Sequence, residues 1–496
     1  MNNRTIQQKL ESGFNNLTTT ENGAGARKTT ESAVLDLFSQ INAYRAGKVI
    51  NQRIPELNAA WNENAQLTLR TLFYSRDVRG GQGEREVFRT FMNILAQAEP
   101  DKIAKVLELI PVYGRWDDLY AFVGTPLEAQ AFQVISSQWL KDITTDKPSI
   151  MAKWLKSVNT SSKESVALGI KTAKALGLPV SVYRKALSKL RTNINVIEKL
   201  ISSGKWEDVN YSHVPSQANL KYGSAFMRHD ATRRSAFFEA LERGDTEVKM
   251  NATTQFPYEI VKLIIGDGVC ASHNQVAEAM WKAQPDYFNG VEENSLIVAD
   301  VSGSMCGLPL QVCLSLAIYA AERNKGVWKD KFITFSNSPE LQTIVGDSLR
   351  EKVSNLSRAQ WDMSTNIEAV FDVILKTAVN NNVNPSEMVK RLYIISDMEF
   401  DSCVRDHDRY IIAQATLFET IRAKYQAKGF VMPELVFWNV SARNKQFPMS
   451  LDDRGFINVS GCSPSIFKSI VGKEFVGPYE MMLEVLNSPR YEAIVV

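Results

Sequence analysis

Apolar residues between Glu31 and about Pro285 recur at intervals of three and four. The segments are ESAVLDLFSQINAYR, AQLTLRTLFYS, EREVFRTFMNILAQA, PDKIAKVLELI, TPLEAQAFQVISSQWLKDI, SKESVALGIKTAKALG, PVSVYRKALSKLRTNINVIEKLISSG, RRSAFFEALERG and NQVAEAMWKAQ. That spacing gathers apolar side chains on one face of a helix. Several segments begin after Ser, Thr, Asp or Pro, and short loops bearing Gly or Pro follow, as helix starts and stops require. Almost no alternating pattern intervenes, so paired helices stacked in a solenoid-like array are expected. After Glu292 the pattern changes. Apolar runs SLIVA (295–299), KFITF (331–335), RLYIIS (391–396) and ELVFWNV (434–440) alternate with helical patterns at 308–324, 366–380 and 412–429. This order predicts a doubly wound α/β domain with a mainly parallel sheet, to which GFINVSG (455–461) and RYEAIVV (490–496) could add strands. Residues 1–30 are polar and without period, an extended arm. The chain therefore reads as an arm over 1–30, a helical domain over 31–290 and an α/β domain over 291–496.

One internal echo stands out. Gly114-Arg115-Trp116-Asp117-Asp118-Leu119 returns as Gly204-Lys205-Trp206-Glu207-Asp208-Val209. The separation corresponds to about two helical repeats of roughly 40–47 residues. Each tryptophan is expected to pack two helices at a corner, with Gly ending one helix and the acids opening the next.

Composition narrows the chemistry. The hydrophobic share of 44% and charged share of 23% are those of an ordinary soluble globular protein. No apolar run approaches the eighteen or so residues of a bilayer span, and the polar N-terminus lacks the apolar core of a secretory signal, so a cytoplasmic protein without membrane contact is expected. The 5 cysteines form no C-x-x-C pair and the 4 histidines no H-E-x-x-H motif, which argues against a disulfide framework, a zinc site or histidine-based hydrolysis. Net charge is only +2, but its distribution is uneven. From Lys147 to Lys249 there are 18 Lys and Arg against 9 Asp and Glu, whereas from Ser295 onward there are 21 against 23. A basic middle beside a nearly neutral C-terminal third fits one region meeting a polyanion, although solvated helix faces give a similar bias.

The sharpest local signal is DVSGSM at 300–305, directly after the first apolar run. In a doubly wound sheet, ligands bind beyond the carboxyl ends of the strands. Asp300, Ser302 and Ser304 alternate, so one stretch of backbone can aim three oxygens at a point. A second carboxylate, Asp397, follows RLYIIS, and Thr365 precedes the helical pattern at 366–380. Hard oxygens without soft ligands describe a site for Mg²⁺, or for Mn²⁺ or Ca²⁺, with water completing the shell. The set Asp300, Ser302, Ser304, Thr365 and Asp397 resembles the metal-ion-dependent adhesion site of von Willebrand factor A domains. That resemblance implies a Rossmann-like fold and a non-catalytic metal whose open coordination position accepts a carboxylate from a protein partner.

In the helical region, YSRDVRGGQGEREVFRTF (74–91) and LIPVYGRWDDLYAF (109–122) resemble the RNA-binding TROVE module of the Ro autoantigen family, and MAKWLKS, YRKALSKLR and GKWEDVNYSHVPSQA are similar to a less characterised sister family of plants, large viruses and bacteriophages. The resemblance implies a HEAT-like helical array, open or closed into a ring, followed by an A domain. It also implies a small non-coding or misfolded RNA as partner, bound by a basic helix. Arg184, Ser188 and Arg191 fall on one helix face, with Lys185 and Lys189 beside them. Lys153 and Lys156 extend this candidate RNA surface, and Lys163, Lys171 and Lys174 could lengthen it. Such a surface would contact phosphates with little sequence readout.

The glycine-rich stretch Arg76–Arg85 invites a phosphate-loop reading, but it lacks the G-K-[ST] ending and follows a helix, so its charges are expected to pair between helical repeats. A non-enzymatic, monomeric RNA-binding protein is the leading expectation. The alternatives are a metal-dependent protein scaffold without RNA, and a metal-dependent nuclease, for which no positioned base or second acidic cluster is evident.

Overall fold

The computed structural model describes residues 15–23, 25–44, 47–265, 271–335, 339–358, 366–400, 421–442, 445–449, 454–474 and 477–496. Among them the chain forms a short antiparallel hairpin, β1 (Leu17–Thr19) with β2 (Gly25–Arg27), and one six-stranded sheet. The sheet contains β3 (Ser295–Ala299), β4 (Lys331–Thr334), β5 (Leu341–Thr343), β6 (Arg391–Ser396), β7 (Glu434–Asn439) and β8 (Phe456–Ser460), in the order β5-β4-β3-β6-β7-β8. All neighbours are parallel except β4 and β5.

Every residue of β3, β6 and β8 is buried, which is why their apolar residues run consecutively rather than alternating with exposed polar ones. On one face Leu296, Val298, Ile394 and Phe437 share a core with Ile367, Val370, Phe371 and Ile374 of the helix Ile367–Asn380. On the other, the ring of Phe467 meets Tyr319 of the helix Leu308–Arg323, Tyr393 of β6 and Trp438 of β7 at 4.8–5.8 Å between centroids. Arg391 opens β6 fully buried, paired with Glu293 at 2.6 Å and Glu434 at 2.7 Å, and also donates to the carbonyls of Ile470 and Lys473.

Two compact units emerge, neither continuous in sequence. The first comprises Met1–Asn64, Phe256–Val269 and Pro285–Ser488; the second comprises Ala65–Gln255, Cys270–Gln284 and Pro489–Val496. This division differs from the consecutive one drawn from sequence texture, because tertiary contacts override the order of patterns. Thr20 Oγ1 donates to the Phe400 carbonyl at 2.6 Å, Arg27 pairs with Phe447 through two 2.9 Å backbone bonds, and Ser460 Oγ accepts from Asn42 N at 3.3 Å. The early helix Ala33–Gln40 thus belongs to the α/β unit.

RYEAIVV forms no strand. Pro489–Tyr491 is a 3-10 turn, Tyr491 stacks on Tyr113, and the Ile494 carbonyl accepts from Gln66 Nε2, all within the helical unit. GFINVSG does form β8, and β5 is an antiparallel edge strand that its weak pattern did not announce.

The helical unit holds Ala65–Arg76, Glu86–Ala98, Glu128–Ile143, Lys163–Ala175, Val180–Asn193, Ser216–His229, Ala231–Glu242 and Ala271–Lys282 as its longer helices. The periodic run 179–204 breaks at Asn195, whose φ of 51° leaves the helical region, and resumes as Ile197–Ser202. Of the helix expected at 412–429, residues 421–427 are helical and 412–420 lie outside the described residues. No helix among the described residues is long and apolar enough to cross a membrane.

Candidate functional site

The sheet order turns back between β3 and β6, so the chains leaving these two strands diverge and open a crevice at their carboxyl ends. Register brings Ala299 opposite Ile395, and Asp300 N then donates to the Ile395 carbonyl at 3.0 Å. Asp300 is fully buried. Its Oδ1 accepts from Ser302 N at 2.9 Å and its Oδ2 accepts from Ser396 Oγ at 2.5 Å. Ser302 and Ser304 hydroxyls lie 3.0 Å apart, and Gly307, at φ 90°, turns the chain into Leu308–Arg323. Asp397 is buried at the end of β6.

Four of the five expected metal-site residues therefore share one sheet edge, and Thr365 lies outside the described residues. Ser396 joins them unannounced, because a serine closing an apolar run carries no signal until β3 and β6 are paired.

Burial pushes the Asp300 carboxyl up to about 6; the Ser396 and Ser302 hydrogen bonds oppose this and nearby Asp397 adds to it. The groups favouring its charged form are hydroxyls and an amide, which neutralise little of the charge. A hard divalent cation is chemically suited to such a donor set. No group of three or more His, Cys, Asp or Glu side chains gathers among the described residues, so two carboxylates, hydroxyls and water would have to complete the shell.

The second site lies in the helical unit. A cavity of about 700 Å³ is lined by Lys153, Trp154, Ser157, Asn159, Arg184, Lys185, Ser188, Arg191, Glu198 and Lys199, among others. Five of the seven expected RNA-surface residues thus face one hollow. They meet because Val180–Asn193 presents Arg184, Ser188 and Arg191 along one face toward the segment Met151–Asn159. Lys189 is exposed on the same helix but does not line the cavity. Lys156 is turned away, its Nζ 5.7 Å from the Tyr120 ring centroid and 4.0 Å from Asp117. Of the lysines that could lengthen the track, Lys171 pairs with Glu128 at 2.7 Å.

Arg191 has a different use from its neighbours. Its guanidinium donates to the carbonyls of Ala152 and Leu155 and to Ser157 Oγ, at 2.7–2.8 Å. Burial lowers its pKa. These bonds fix the wall carrying Lys153 and Trp154, so Arg191 builds the cavity and has few donors left for a ligand. Trp154, Glu198 and Lys199 were not singled out from sequence; the only available signal was an aromatic residue between two lysines in KWLK.

The glycine-rich stretch 76–85 is a structural junction. Arg76 pairs with fully buried Asp118 at 2.8 Å, Arg89 bridges Asp117 and Asp118, and Arg490 holds Asp77. A Cβ on Gly81 would fall 2.0 Å from the Tyr74 carbonyl oxygen, so only glycine fits. Its charges are used between helices, as expected. The two echo copies diverge: Asp117 and Asp118 anchor that junction, whereas Trp206 stacks on His229 at 4.5 Å.

Comparisons place this architecture among known chains. Residues 20–149 and 142–286 match the family model described as "Domain of unknown function (DUF2828)", and residues 294–488 match "Domain of unknown function (DUF7788)". "Uncharacterized protein L728" of Acanthamoeba polyphaga mimivirus is 30% identical over 517 residues, covering 95% of this chain and 87% of that one. A structural likeness covers 89% of this chain and 99% of the Ro (RSR) protein of Deinococcus radiodurans, at 12% identity and a TM-score of 0.46, too weak a match to carry function across. The family models span both the helical region and the α/β region, and the viral relative spans nearly the whole length: the chain belongs to the DUF2828 family, here joined to a DUF7788 domain.

Proposed function

We propose that this protein is a non-enzymatic RNA-binding protein. Its helical unit would hold a small structured or misfolded RNA at the basic cavity, and its α/β unit would recruit a protein partner through a divalent cation, Mg²⁺ foremost. The observation that carries the RNA reading is the convergence of Lys153, Arg184, Lys185 and Lys199 on one cavity with a single acid, Glu198, among the residues named above. Cations gathered in a concave surface bind phosphates and release counterions, so affinity should fall steeply with salt. The resemblance of residues 74–91 and 109–122 to the Ro RNA-binding module points the same way.

At the sheet edge Asp300, Ser302, Ser304 and Asp397, with Thr365, would hold the ion. The ion would supply an open coordination position for a partner's carboxylate. Hydroxyls and a buried carboxylate suit this role better than hydrolysis, because no histidine stands among the residues of this cluster.

One experiment separates the halves. Filter binding of a small structured RNA to the full chain across a salt series should show a steep loss of affinity. R184E/K185E should weaken binding at least about tenfold while Mg²⁺ uptake by calorimetry is unchanged. D300A should do the reverse. Equal RNA affinity for R184E/K185E and wild type would overturn the cavity assignment, and unaltered Mg²⁺ uptake in D300A would overturn the metal site.

A further inference from the structure

Beyond its cations, the cavity has an aromatic wall. Trp154 is half-buried and lines the hollow, with the Arg115 guanidinium over its ring at 4.3 Å from the centroid. Its backbone is held by the Arg191 bonds to Ala152 and Leu155 on either side, so the indole is preorganised rather than free to collapse. The indole also carries a second cation, Lys153, whose Nζ lies 5.7 Å from its centroid. An unpaired nucleobase would use the remaining π surface, because bases stack on aromatic rings and a duplex offers no free base face.

Size agrees: about 700 Å³ falls within the range of pockets that enclose small organic ligands. Glu198 adds the second clue. Exposed in the first turn of Ile197–Ser202 and lining the hollow, its carboxylate repels a phosphate but accepts from an exocyclic amino group of a base.

We propose that the cavity takes one unpaired, amino-bearing nucleotide of the bound RNA, its base stacked on Trp154, its amino group toward Glu198 and its phosphate on Arg184 and Lys185. This rests on the RNA reading above and sharpens it, because a surface that only tracked phosphates would bind paired and unpaired RNA alike.

The test uses the full chain at low salt, titrated with a single-stranded hexaadenylate and with a blunt RNA duplex of equal phosphate number. Hexaadenylate should quench tryptophan emission in wild type and leave W154F emission unchanged, since a phenylalanine still stacks but no longer reports. W154L should bind hexaadenylate at least about tenfold more weakly and the duplex unchanged, and E198Q should narrow the preference of wild type for hexaadenylate over hexauridylate. Equal quenching in wild type and W154F, or equal hexaadenylate affinity in wild type and a folded W154L, would overturn the stacking assignment. If R184E/K185E still weakened RNA binding in that case, the RNA reading would survive without it. No RNA binding by wild type at all would remove both.

Discussion

Single residues set the properties of both units. Arg191 makes three hydrogen bonds to a segment that has no regular structure past Trp154, and a charged donor to a neutral acceptor is worth about 1.5–3 kcal/mol. R191K keeps the charge but loses the planar fork that reaches two carbonyls and a hydroxyl together. Thermal melting should show the helical unit destabilised by several degrees, whereas an unchanged melt would mean the guanidinium is a ligand group after all. In the α/β unit, burial raises the Asp36 carboxyl from 3.8 to about 6, against the hydrogen bonds from Thr29 and Thr30. A folded-state pKa above the unfolded one gives stability that is complete below about pH 4 and lost as pH rises through about 6. The melting temperature should therefore fall across that window by more in wild type than in D36N, and parallel profiles would contradict it.

That Asp300, Ser302, Ser304 and Asp397 lie at the carboxyl ends of neighbouring strands was legible in the sequence, because Asp300 and Asp397 each directly follow an apolar run. The places of Ser396 and Trp154 were not, because they depend on strand register and on a neighbouring helix.

Elements were legible where one period persisted. The four long apolar runs became strands, and most periodic segments became helices, but Ser216–His229 was missed because its buried side is Ser216, Ala218, Asn219 and Gly223 before it reaches Phe226. The β1–β2 hairpin was missed too: three-residue strands of Leu, Thr, Gly, Ala and Arg have no apolar face, and only pairing reveals them. That hairpin is tied to the segment following Asp397. Thr20 and Asn22 donate to the carbonyls of Phe400 and Glu399, and Glu21 N donates to the Glu399 carboxylate at 2.8 Å. Gln446 holds the same carboxylate from the other side at 2.8 Å. Removing residues 1–27 should loosen Met398–Phe400 and weaken Mg²⁺ uptake about tenfold with RNA affinity intact. Calorimetry showing wild-type Mg²⁺ affinity in the truncated chain would mean the hairpin only caps the sheet.

At the scale of the molecule, the texture change near Glu292 marks a real shift from helices to a sheet, yet compactness does not follow it. Residues 1–64 complete the α/β unit and residues 489–496 complete the helical one. Texture reports which local structure a segment forms, and it is silent on which distant surface that segment covers.

This interleaving has a price in time. Val34, Leu35, Leu37 and Phe38 are made well before the sheet whose unit they join, which is assembled from residues 295–460. At roughly 5–20 residues per second, the ribosome needs on the order of tens of seconds to deliver that sheet. During that interval the helix can pair with Ile54–Glu63 of its own unit, but the part of its face that β8 covers stays open, which is when such a surface is most exposed to aggregation or chaperone capture. A chain still being made therefore exposes apolar surface that the finished sheet covers.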